Sequence, residues 1–107
     1  MSKKIMTMVT IGQIVISKQG RDKGDWFVVV DVAHNTTNKR CISYAWLVNG
    51  NSRPVDRPKK KKLMHIQPTK YIDEAFQNKI ENGKLKAENS EVRKVIENFV
   101  LSNKKEV

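Results

Sequence analysis

Two groups of cations are the residues of this chain best suited to do chemistry, and the chemistry they suit is the holding of phosphate. Lys18, Arg21 and Lys23 fall within six residues of one another around Gly20 and Gly24. Glycine lets a backbone turn tightly and come close to a ligand, and three cations on such a loop match phosphate oxygens. Further on, Pro58 precedes four consecutive lysines, Lys59, Lys60, Lys61 and Lys62, with Arg53 and Arg57 just upstream. A run of like charges repels itself and stays solvated until a polyanion relieves the repulsion. Lysines used in this way follow a phosphate backbone without reading bases, so they give salt-dependent affinity rather than sequence specificity. Arg53 and Arg57 can add planar, two-pronged contacts.

Other chemistries find little support. The chain has one cysteine, Cys41, and two separated histidines, which make neither a disulfide nor a zinc set. No Gly-rich phosphate fingerprint opens a helix, and carboxylates are sparse in the first two-thirds. The expectation is a protein that is not an enzyme, with no catalytic residues, no metal and no cofactor. Trp26, Tyr44 and Trp46 could stack on unpaired bases, but they lie within apolar runs, which points to core. Trp26, beside the basic loop, is the one best placed to stack.

These side chains need elements to hold them. Gln13-Ile14-Val15-Ile16 and Trp26-Phe27-Val28-Val29-Val30-Asp31-Val32 read as strands flanking the basic loop, the second apolar on both faces. His34 to Lys39 is polar and reads as a loop. Residues 41–48 form a third strand, with Ile42, Tyr44, Trp46 and Val48 on one face, and Asn49-Gly50 then signals a hairpin turn. A short return strand near Arg53 to Val55, limited by Pro54 and Pro58 to an edge or connector, and a fifth over Leu63 to Ile66, closed by Pro68, complete the pattern. Short strands with frequent turns argue for a small, strongly bent sheet or barrel.

Beyond Pro68 the period changes. Ile72, Ala75, Phe76 and Ile80 fit one face of a helix, with Thr69 as its cap and Gly83 as its stop. A second helix starts near Ser90, capped by Ser90 or Asn89, with an apolar stripe of Val92, Val95, Ile96, Phe99 and Val100. Such short helices need a surface to pack on. The expected division is therefore residues 8–70 as a β-barrel and residues 71–107 as a helical extension packed on the barrel or on itself.

Composition places the charge. The 107 residues carry a formal net charge of +10, and all of that excess is in the first part. Residues 1–70 hold 14 Lys and Arg against 4 Asp and Glu, whereas residues 71–107 hold 7 of each. One part is thus set to meet a polyanion while the other packs or solvates. No stretch reaches the roughly 18 apolar residues of a spanning helix, and the first residues lack a signal-peptide core. A cytoplasmic, membrane-free protein, monomeric when free, is expected.

Gly12 to Asp31, GQIVISKQGRDKGDWFVVVD, resembles a KOW motif, the strand, basic Gly-containing loop and strand of several ribosomal proteins and NusG-type transcription factors. Gly12, Gly20 and Gly24 match the glycines of that pattern, although Asp25, Trp26 and Phe27 follow where many members carry another glycine. Phe27 to Asp31, Leu47 to Gly50, Arg53 to Val55 and Lys62 to Thr69 then occur in the order seen in large-subunit ribosomal protein fourteen of archaea and eukaryotes. Short bacterial KOW proteins related to that group are more similar still. The resemblance covers residues 11–70. It implies an SH3-like barrel and RNA binding, with ribosomal RNA and ribosomal proteins as partners. The expected α+β fold is an SH3-like barrel followed by two short helices. Lys18, Gly20, Arg21, Lys23, Gly24, Trp26, Arg53, Arg57 and Lys59 to Lys62 are its expected RNA-binding residues. The alternative is a protein-interaction module of the translation or transcription machinery that docks through the Val92 to Val100 stripe.

Overall fold

Branched and aromatic side chains fit a pleated, half-buried surface, and the runs that carry them become strands. The computed structural model describes residues 9–37, 40–81 and 84–102. Its strands are β1 Gln13–Ser17, β2 Trp26–Thr37, β3 Arg40–Val48, β4 Lys59–Lys62 and β5 Ile66–Ile72. They form one antiparallel sheet in the order β4-β3-β2-β1-β5. A 3-10 turn, Leu63–His65, links the two edge strands. A one-turn helix, α1 Glu74–Gln77, a small ladder of β6 Ile80–Glu81 with β7 Lys84–Leu85, and the long helix α2 Asn89–Ser102 follow. The fold is α+β. Among the described residues no ladder joins β4 to β5, so backbone pairing does not close the sheet into a barrel. No helix among them is long and apolar enough to cross a membrane.

The sheet buries both faces. On one, Val15, Phe27, Val29, Ala45 and Leu47 pack with Leu63 and Ile66 from the segment that bends back across it. On the other, Ile14, Val28, Val30 and Val48 are covered by Phe76 of α1 and by Val92 and Phe99 of α2. This is why β2 lacks the usual alternation: neighbours from Phe27 to Val30 are all buried, on opposite sides. Val30 is an extra residue in the β2–β3 ladder, since Val29 pairs with Leu47 and Asp31 with Trp46. That bulge returns Val32, paired with Ala45, to the first face.

Several expectations are corrected. The His34 to Lys39 loop is largely strand, because β2 runs on to Thr37 and pairs with β3 as a long ribbon; Asn38 and Lys39 lie outside the described residues, as does the Cys41 side chain. The return strand is not at Arg53 to Val55. Asn49 and Gly50 donate to the Arg53 carbonyl at 2.8 and 3.1 Å, closing a turn, and the lysine run itself forms the fourth strand. Leu63 to His65 is a 3-10 turn, and the fifth strand passes through Pro68 instead of ending there. The first helix is one turn capped by Asp73, whose carboxylate accepts from the Phe76 N–H at 2.8 Å. Thr69 does not cap it: its hydroxyl donates to the Ile14 carbonyl at 2.8 Å. The expected stop at Gly83 lies outside the described residues. Neither proposed cap of α2 acts as one: both fall inside the helix, and Asn89 Oδ1 accepts from the Val55 N–H at 2.8 Å, tying down the β3–β4 connection. Val100 leaves the buried stripe and is 38% exposed.

Candidate nucleic-acid interface

The β1–β2 loop is a folded object. Gly24 donates to the Ser17 carbonyl at 2.9 Å and Ser17 to the Asp25 carbonyl at 3.0 Å, so the strand ends stay paired. Two turns fill the loop, with Lys23 N–H on the Gly20 carbonyl at 3.1 Å and Asp25 N–H on the Asp22 carbonyl at 2.9 Å. Gly20 and Gly24 take positive φ of 84° and 91°, a conformation costly for other L-residues. The loop is also tied sideways, since the Lys18 N–H donates to the His65 carbonyl at 2.8 Å. Lys18, Arg21 and Lys23 are exposed on this frame and form no ion pair among the described residues.

Arg53 plays a different part. Its Nε and Nη2 donate to Asp22 Oδ2 at 3.2 and 2.9 Å, and Asp22 is buried. The guanidinium therefore joins the β1–β2 loop to the β3–β4 connection and compensates a charge that burial would otherwise penalise. Asp22 is the residue that sequence reasoning missed. The D-x-x-x…R pairing across 31 positions has no local signal.

The lysine run is paired to β3 in the register Leu47 to Lys59, Trp46 to Lys60, Ala45 to Lys61 and Tyr44 to Lys62. As an edge strand it sends alternate lysines to opposite faces. Lys60 lies with its ammonium 4.3 Å from the Tyr44 ring centre and 5.7 Å from that of Trp46, within cation–π range. Lys61 goes the other way: a Cβ added at Gly20 would sit 3.3 Å from its Nζ. The two basic elements, far apart in sequence, thus meet where Lys61 lies against Gly20. Lys62 and Arg57 are exposed, and Lys59 is half-buried.

Trp26 is half-buried against Phe99, with ring centres 5.1 Å apart at 63°. Its remaining surface lines an open groove of about 540 Å³ between the β1–β2 loop, the Asn49 to Arg53 turn and α2. Elsewhere, His34 Nδ1 and Ser43 Oγ are 2.5 Å apart, directly opposite each other on the β2–β3 ribbon. Among the described residues no group of three His, Cys, Asp or Glu could hold a metal ion.

No family model matches the chain, and no curated protein matches it.

Proposed function

We propose that this chain is a non-catalytic RNA-binding protein, ribosome-associated in the cytoplasm, that holds ribosomal RNA through phosphate contacts. The observation that carries the reading is the meeting of Lys61 with Gly20, which brings the lysine strand beside the loop that carries Lys18, Arg21 and Lys23. A polyanion lying along it relieves lysine repulsion and gains charge-assisted hydrogen bonds. The choice of RNA over DNA rests on the KOW-like segments. An SH3-like barrel of that type is supported by the strand order, by the 3-10 turn between β4 and β5, and by the core enclosed on one face. Docking through the α2 stripe is disfavoured, since Val92 and Phe99 are buried against the sheet.

The test is a titration of structured RNA across salt. With about six phosphates engaged, log affinity falls against log salt with a slope near −5. The charge reversal Lys60→Glu/Lys61→Glu abolishes binding and co-sedimentation with ribosomes. A slope near zero would sink the reading. Sedimentation of lysate at low and high salt then separates an integral ribosomal component, retained at high salt, from an accessory factor.

A further inference from the structure

The groove beside the basic loop has a chemistry unlike the surface around it. Trp26 and Ile96 supply its apolar wall, Asn51 and Arg93 its polar one, and Asp25 and Glu97 bring two carboxylates. The indole is a pre-set platform, because Phe99 packs against it edge-on. Arg93 is anchored too, its Nη1 donating to the Gly50 carbonyl at 2.6 Å. At about 540 Å³ the groove is within the roughly 300–1,000 Å³ of small-ligand clefts. It opens directly off the loop, since Asp25 and Trp26 follow Lys23 and Gly24, and the space at Gly24 is clear within 4 Å.

Resting on the RNA-binding reading, we propose that this groove takes one unpaired guanine of the bound RNA. Two carboxylates repel a phosphate, so the occupant is the uncharged part of a nucleotide whose backbone the loop holds. A base stacks on the indole face. Guanine alone among the four bases offers two adjacent donors, N1–H and N2–H₂, on its Watson–Crick edge, and a carboxylate accepts both; single-stranded RNA is read on that edge. Adenine offers one donor group there, beside an acceptor that a carboxylate opposes. A cationic peptide side chain would satisfy the same carboxylates, but it would have to approach across Lys18, Arg21 and Lys23 on a chain of net charge +10. The groove therefore adds base selectivity to a surface whose lysines have none.

The test uses the full chain with Trp46→Phe, which leaves Trp26 as the sole indole. Nine-residue oligoribonucleotides of uridine carrying a central guanosine, a central adenosine or neither are titrated by fluorescence. The guanosine strand is expected to quench Trp26 and bind about tenfold more tightly than the others. Asp25→Asn/Glu97→Gln, both at exposed positions, is expected to erase that preference while leaving the salt slope unchanged. Equal quenching and affinity for the three strands, with the slope intact, overturns the guanine site and leaves the phosphate reading standing. Quenching by an arginine-rich peptide in place of RNA overturns the guanine site as well. Absence of binding by all three strands at low salt overturns the guanine site, and absence of binding by structured RNA as well overturns both.

Discussion

Asp22 and Arg53 form a pair in which the two partners have unequal needs. Asp22 keeps 8% of its side-chain surface and Arg53 27%, so removing the arginine strands a buried carboxylate, whereas removing the aspartate leaves a cation that can still reach water. Arg53→Ala is expected to cost about 1–3 kcal/mol. Adding Asp22→Ala should restore part of that loss, as read by urea denaturation in a double-mutant cycle. A second pair sets a pH dependence. The Lys79 ammonium, 2.5 Å from Glu91 Oε1, holds that carboxyl below its ordinary 4.5 against a smaller opposing pull from desolvation. A carboxyl lowered in the folded state lends stability above its unfolded value and loses it as pH falls through the folded one. Wild type should therefore exceed Glu91→Gln in stability at pH 6, and the gap should close below pH 4.5 in acid titrations of the melting temperature.

The strands with continuous β-branched residues were legible in the sequence, because their burial on two faces writes itself as an unbroken apolar run. The lysine strand was not. Nothing in Lys59 to Lys62 favours a pleated backbone, and it becomes β4 through its pairing with β3 and the contact of Lys60 with Tyr44 and Trp46, which are tertiary facts. The segment from Thr69 to Ile80 failed for a related reason. Its apolar spacing fits a helix, but Thr69 bonds back to β1, and Ile72 stays in β5 at 39% exposure. Pro68 is tolerated because β5 is an edge. The same edge logic explains why β4 is made of lysine. An exposed, apolar edge recruits other chains. Replacing Lys60 and Lys62 with valine should leave the monomer's fold intact and produce dimers or larger species by analytical ultracentrifugation.

At the scale of the whole molecule, α2 and the sheet share one core, and the join is tight. Gly50 has a φ of +80°, and a Cβ there would meet the Asn89 carbonyl oxygen at 2.5 Å, so the turn after β3 and the start of α2 can touch only through glycine. The charge asymmetry was readable from composition, and so were the cations of the loop. Their convergence with β4 was not, since it depends on sheet order and on the bend that brings Lys61 to Gly20. That convergence crowds cations in the free protein. Packing four lysines into one strand beside a loop with three more cations stores repulsion in the folded state, and mobile ions screen it within a Debye length of about 10 Å at 0.1 M. Added salt should therefore raise the melting temperature of the free protein, to be read by calorimetry between low and moderate sodium chloride. The surface proposed to hold RNA is thus also the one whose repulsion unsettles the fold, and under that proposal a polyanion would serve as its missing counterion.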